Sequence, residues 1–486
     1  MSLYRTCIWK IATLIKKGYW SISSGSQDDN PFSFLPPEII NEITSTVIQI
    51  STPNGVKVTD LYCLLTSGRL ERLVLDDILL STEELISILM SLSVACQNLK
   101  TLTFRNVNCT DPYSANAKVF KPGNALECLL GISPQIESLE SCIRFNVEVI
   151  NRCDKLKFLN LNFVSEKPVC RFILNCGYYE PNHSLKSLSV FEDYRNPVPF
   201  CDLVPVLKYC KELVYIKADI SRPLEFLHIE ELYDGSLTTQ YKLQRCYLGN
   251  PYFDNGAVSS VAMHIATLTC PEMKEIDVLA NDNEAIFALS DFKNLNSLLV
   301  QWEEPNGGNF QLGVQLLLEK IGVNLKKLHV INFYYVDWAV IAKYCTQLEI
   351  LKVEFFNEIQ SYERPTVCLQ YLTSLYIELL DPDFYCHKET LIMLLSSCTE
   401  LKHLRIDGAR NLCDHTLNKI LAKNNLSKLV EALLFECSLT ENGIRNLISS
   451  LSSLEFFQFS STLIDFEDAA NIVHEINPHI LLMSEE

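Results

Sequence analysis

The chain has 486 residues and a formal charge of −18, from 41 basic and 59 acidic side chains. That acidity repels a phosphate backbone instead of releasing its counterions, so nucleic acid is not an expected partner, and no run of about 18 uncharged apolar residues suggests a membrane span. The length exceeds what one core usually fills unless each part packs only on its neighbours, and the abundance of Leu, Ile, Val and Phe argues against disorder.

Residues 1–27 contain Arg5, Lys10, Lys16 and Lys17 but no acid, and Leu3, Cys7, Ile11 and Leu14 or Ile15 fall on one face of a helix. Three uses fit such a segment. A basic, acid-free amphipathic stretch suits an organellar presequence; a helix with Trp9, Tyr19 and Trp20 suits a membrane surface; and a narrow apolar ridge suits the groove of a partner. The letters themselves add a pattern. Ser2-Leu3-x-x-x-Cys7-x-x-x-Ile11 resembles the elongin-binding box, and Leu35-Pro36-x-x-Ile39-x-x-x-Ile43 resembles the companion cullin box. In order, the two resemble a VHL box, the adaptor-binding element of substrate receptors in cullin-RING ubiquitin ligases. Phe34-Leu-Pro-Pro-Glu-Ile39 also resembles the start of an F-box, although Asn41–Leu65 lacks the tryptophan and the Val-Cys pair usual downstream. The first resemblance implies that Leu3, Cys7, Ile11, Leu35, Pro36, Ile39 and Ile43 contact elongin C and a cullin; the second implies a Skp-type adaptor.

From residue 70 onward a short phrase recurs. Leucine, two variable residues, leucine, one variable residue and an apolar residue begin at Leu70, Leu99, Leu156, Leu185, Leu325, Leu348, Leu372 and Leu401, with looser copies at Ile136, Leu213, Leu243, Met273, Leu295, Val430 and Leu454. The mean period is about 27 residues. The phrase alternates as a strand does, and helical spacing follows it. Ser81-Thr-Glu-Glu84 has capping-box spacing ahead of Leu85, Ile88, Leu89 and Leu92, and similar runs follow Asp414 and Thr440. Repeated strand-then-helix units predict parallel strands inside and helices outside, an α/β horseshoe of about 15 repeats.

Cys96, Cys153, Cys210, Cys270, Cys345 and Cys398 each stand three residues before a phrase, where a small, nearly apolar side chain suits a turn between helix and strand. This placement and the period resemble the ribonuclease-inhibitor-like leucine-rich repeats, over roughly residues 65–460. The 19 cysteines are odd in number, Cys-x-x-Cys is absent and no secretory leader pattern opens the sequence, which suits a reducing compartment, the cytosol or nucleus. Segments around Tyr178–His183 and Glu303–Asn309 read as loop insertions, and Asp465–Ile476 as a helix covering the open end. The domain organisation expected is an adaptor-binding element over 1–60 followed by the repeats over 61–486.

No phosphate-cradling glycine loop, HExxH, G-x-S-x-G or EF-hand pattern occurs. The nine histidines are scattered; His183-Ser184 and His387 read as loop residues. Neither catalysis nor a cofactor is expected. Binding is expected on the strand face opposite the core leucines. Its candidates are Phe158, Asn160 and Asn162; Phe191; Tyr215, Lys217 and Asp219; Arg245 and Tyr247; Lys327 and His329; Tyr376 and Glu378; and His403, Arg405 and Asp407. Aromatic and arginine side chains on a rigid face are what protein-recognition hot spots use. The expected function is a non-catalytic substrate receptor; the alternative, from the same repeats, is an interaction scaffold or inhibitor with no ligase role.

Overall fold

A computed structural model describes residues 2–20, 30–51, 55–109, 121–163, 184–190, 198–251, 256–304, 307–356, 369–379 and 388–483. It divides into two compact units, Met1–Ala218 and Asp219–Glu486.

In the first unit the sheet strands are β1 (Arg72–Asp76), β2 (Thr101–Arg105), β3 (Ser138–Ser141), β4 (Phe158–Leu161), β5 (Ser187–Val190) and β6 (Tyr215–Asp219, whose last residue begins the second unit). Each pairs in parallel with the next, and the leucines stay in register: Leu73 lies beside Leu102, Leu102 beside Leu139, Leu139 beside Leu159 and Leu159 beside Leu188. These leucines are fully or almost fully buried, whereas the residues that alternate with them lie on the other side of the sheet, where Val74, Glu140 and Asn160 are half-buried and Thr103 and Ser189 are buried. Period-two alternation thus puts one whole set of side chains under the helices, and a one-residue slip would invert it.

The helices of this unit are α1 (Leu3–Lys16), α2 (Pro37–Ser51), α3 (Val58–Leu65), α4 (Thr82–Ala95), α5 (Pro122–Ile132) and α6 (Phe200–Tyr209). At α4 the expected capping box forms: Glu84 N–H donates to Ser81 Oγ at 3.2 Å, and Ser81 N–H to Glu84 Oε2 at 3.4 Å. Between β3 and β4 the spacing is too short for a full helix, and a 3-10 helix over Val147–Arg152 takes its place. The helical segment before β1 closes the first edge of the sheet. Asn41 on α2 accepts from the backbone N–H groups of Glu71 and Arg72 at 3.2 and 3.1 Å, supplying the acceptor that a preceding strand would have offered.

In the second unit the strands are β7 (Arg245–Leu248), β8 (Glu275–Ala280), β9 (Ser297–Trp302), β10 (Lys327–Ile331), β11 (Ile350–Phe356), β12 (Ser374–Leu379), β13 (His403–Ile406), β14 (Glu431–Cys437), β15 (Phe456–Ser461) and β16 (Leu481–Met483), again parallel and in sequence order. The helices are α7 (Ser221–Asp234), α8 (Ser260–Thr269), α9 (Asn283–Ala288), α10 (Leu316–Ile321), α11 (Trp338–Tyr344), α12 (Lys388–Ser397), α13 (Asp414–Leu421), α14 (Glu441–Ser450) and α15 (Phe466–Ile476). The expected terminal helix is present as α15, but it does not form the sheet's last edge: β16, absent from the sequence reading, follows it and pairs with β15.

The cysteines ahead of the phrases behave as small core residues. Cys96, Cys153, Cys210, Cys270 and Cys345 each stand at a helix C-cap, and these five and Cys398 are buried. Cys96 Sγ donates to the Leu65 carbonyl at 3.0 Å, and burial pushes the thiols of Cys96, Cys153, Cys210, Cys270 and Cys345 up to about 12. Such thiols stay protonated and inert. Of the expected loop insertions, Tyr178–His183 lies outside the described residues; near the other, Gly308 makes an isolated bridge to Phe333.

Candidate functional site

Two surfaces carry the residues singled out by sequence. The first is α1. Ser2 caps it, its side chain accepting from Arg5 N–H at 3.4 Å, and the helix packs on α2 through Ile8, Ala12 and Ile15. Tyr4 Oη donates to Glu42 Oε2 at 2.6 Å and Lys16 Nζ to the Ile50 carbonyl at 3.1 Å, pinning both ends. The single apolar face expected from the sequence is therefore two. Ile8, Ala12 and Ile15 form the buried stripe, while Leu3 is 81% exposed, Cys7 is exposed and Ile11 lies half-buried at the border. Helical periodicity cannot choose between adjacent stripes; the position of α2 does. Trp20, an interfacial anchor in one of the three uses that fit this segment, meets Phe32 edge to face at 5.4 Å.

The second box divides in the same way. Pro36 is exposed, Leu35 and Ile39 are half-buried, and Phe34 is 82% exposed. Ile43 is corrected: it is fully buried on the inner side of α2 with Ile40 and Val47, so its side chain belongs to the core and has no surface to offer an adaptor.

The second surface is the open strand face. In the first unit, register places Val74, Thr103, Glu140, Asn160, Ser189 and Lys217 in one row. Arg105 crosses it with a two-pronged contact to Glu140 (2.9 and 2.7 Å) and a third bond to Asp76 at 3.1 Å, and Asn160 donates to Glu140 at 2.9 Å. Glu140 and then Asp76 hold the Arg105 guanidinium above its ordinary value. Phe158 and Lys217 are exposed and Tyr215 is half-buried; Phe191 lies outside the described residues. Asp219 is corrected. It is buried, and Oδ1 accepts from Ser221 N–H, Ser221 Oγ and Gly249 N–H at 2.9, 2.7 and 2.8 Å, so it braces two turns of the second unit and is not a face residue.

In the second unit the row runs Tyr247, Asp277, Leu299, His329, Lys352, Tyr376, Arg405, Leu433 and Gln458. Arg245 faces Glu275 at 3.6 Å and His403 Nδ1 lies 2.9 Å from Glu431; Lys327 is exposed. His329 Nε2 approaches Glu354 at 3.2 Å, Lys352 pairs with the other oxygen of Glu354, and Arg405 donates to Asp407 through Nε (3.2 Å) and Nη2 (2.8 Å) while lying 5.6 Å above the Phe435 ring. Burial pushes the Glu354 carboxyl up, but His329 and Lys352 overcome it and hold it at about 2. Glu378 goes the other way: burial first, then the charges of Glu354 and Asp407, raise it.

Lys352 and Glu354 were not among the sequence candidates, nor were Arg105 and Glu140. The signal was present, since Lys352 is the residue between Leu351 and Val353 of a strict phrase and its neighbour Glu354 follows at the same alternation. Among the described residues no group of His, Cys, Asp and Glu is arranged to hold a metal, and no helix is long and apolar enough to cross a membrane. His183 and His387 lie outside the described residues; Ser184 Oγ donates to the Leu156 carbonyl at 2.8 Å.

The ladder of parallel strands, most of them carrying a buried leucine phrase and, among the described residues, most of them separated by a helix, defines a leucine-rich-repeat α/β solenoid, a scaffold for protein interaction. Solved structures of this kind are similar to the chain. The Leptospira interrogans leucine-rich-repeat protein LIC12759 is 14% identical with a TM-score of 0.34, over 90% of this chain and 98% of that one. The leucine-rich-repeat ectodomain of the Arabidopsis thaliana receptor kinase GASSHO1/SCHENGEN3 is 14% identical with a TM-score of 0.35, over 87% and 50%. The yeast Rad7 and Elc1 complex is 16% identical with a TM-score of 0.38, over 58% and 72%. No protein-family model matches the chain, and no curated protein does.

Proposed function

We propose that the chain is a non-catalytic substrate receptor: α1 docks elongin C, the first turn of α2 and the residues just before it meet a cullin, and the open strand face holds a protein substrate. One observation carries the reading. The box residues Leu3 and Cys7 occupy the side of α1 that internal packing leaves free, while a separate stripe, Ile8, Ala12 and Ile15, anchors the helix. A helix that already has its intramolecular partner on one side and keeps a leucine 81% exposed on another is built to be gripped twice. The cullin contact rests on Leu35, Pro36 and Ile39, without Ile43. Ubiquitin transfer belongs to the recruited machinery, so no catalytic side chain is required here.

The test is a pull-down with purified elongin C and, separately, a Skp-type adaptor. Elongin C is retained, and Leu3→Ala with Cys7→Ala weakens it at least about tenfold, the loss of one small apolar anchor pair. Retention undiminished by the double substitution refutes the elongin box. Retention of the Skp-type adaptor alone favours the F-box alternative, which would use the exposed Phe34.

A further inference from the structure

The open face of β11, β12 and β13 has a hollow of about 230 Å³, lined by Lys352, Glu354, Tyr376, Ile377, Glu378 and Arg405. Its charges are unevenly satisfied. Lys352 is held by Glu354, which also faces His329, and Arg405 is held twice by Asp407. Glu378, beside Glu354 in the strand register, makes no hydrogen bond and no ion pair with any described residue. Two cations thus face three carboxylates, and the one left over lies half-buried beside a tyrosine. We propose that this hollow receives the guanidinium of an arginine side chain presented by the bound protein segment, with Glu378 as its acceptor and Tyr376 as its wall.

The assignment rests on the reading of the strand face as the substrate surface, and it names the substrate's chemistry. Burial first, then the charges of Glu354 and Asp407, raise Glu378 against the partial compensation of Arg405 and Lys352, and a further cation bound directly to its oxygens would offset the remainder. A guanidinium fits better than an ammonium for two reasons. Its planar fork reaches two oxygens at once, and neighbouring strands stand about 4.8 Å apart, so Glu378 and Glu354 are both within its span. It also stacks on aromatic rings, as Arg405 already does over Phe435 on this face.

The probe is a pool of decapeptides, degenerate at nine positions and fixed at the centre as arginine, lysine, citrulline or glutamate, equilibrated with the full chain and counted by mass spectrometry. Arginine peptides are enriched about fivefold over citrulline peptides, the scale of one partly exposed charge contact, and the enrichment falls with added salt. Glu378→Gln keeps size and fold, checked by circular dichroism, and abolishes the preference. Equal capture of arginine and citrulline peptides, equal capture of arginine and lysine peptides, or an unchanged arginine preference in Glu378→Gln overturns the assignment. Because elongin C is absent from this assay, failure of the adaptor reading appears only in the pull-down and leaves the peptide result standing.

Discussion

Replacing Asp219 by alanine separates a bracing residue from a gripping one. Its Oδ1 takes the N–H groups of Ser221 and Gly249 and the hydroxyl of Ser221, and all three bonds are buried. The alanine variant leaves two backbone donors without a partner, at about 1–3 kcal/mol each, while the Ser221 hydroxyl can turn elsewhere. Against that, burial raises the Asp219 carboxyl, so its removal recovers part of the cost of desolvating it. The net loss is about 3 kcal/mol. Gly249 adds a local reason for the loss: it sits at φ +89° with the Leu279 carbonyl 2.7 Å from where a Cβ would stand, so the turn after β7 cannot relax by small shifts. Urea unfolding followed by tryptophan fluorescence measures the global effect, and hydrogen exchange of peptides covering residues 215–250 locates it. Lys217→Ala, two residues earlier and exposed, stays within about 0.5 kcal/mol. A loss below about 1 kcal/mol in Asp219→Ala, with unchanged exchange in the Ser221 and Gly249 turns, would refute the bracing role.

Two further outcomes follow from the buried groups. Under native conditions an alkylating reagent labels the exposed Cys7, Cys128 and Cys201 well before Cys96, Cys153, Cys210, Cys270 and Cys345, whose thiols are pushed up to about 12; peptide mapping after a short pulse reads the order, and early labelling of Cys345 contradicts the packing. Glu354, held at about 2 against an ordinary 4.5, contributes stability that is fully present above 4.5 and is lost as the pH falls toward 2. Wild type therefore exceeds Glu354→Gln by about 1 kcal/mol at neutral pH, after allowance for solvent screening, and the gap closes in acid; a gap that widens there inverts the sign.

The repeat was legible because its cause is local. A strand alternates at every second residue and a helix at every third or fourth, so Leu70-x-x-Leu73-x-Leu75 declares its buried side before any tertiary contact is known. The same holds for the Ser81 capping box and for the cysteines that end up at helix C-caps. Faces were harder. Leu3, Cys7, Ile11 and Ile15 are one stripe on paper, yet α2 claims Ile8, Ala12 and Ile15 and leaves Leu3 and Cys7 to solvent; in the second box, Ile43 turns inward although Pro36 does not. Asp219 occupied a candidate face position but was drawn into the turns before α7 and after β7. Lys352 and Glu354 mattered only once β10, β11 and β12 stood side by side, because their partners and rivals, His329 and Glu378, come from other repeats. What the chain determined by itself is periodic: which residues are strand, which are helix, and which side of each is apolar. What only the tertiary structure decided is pairwise: which apolar stripe is already taken and which charge is left unpaired, since those depend on neighbours that lie distant along the chain and adjacent across the sheet.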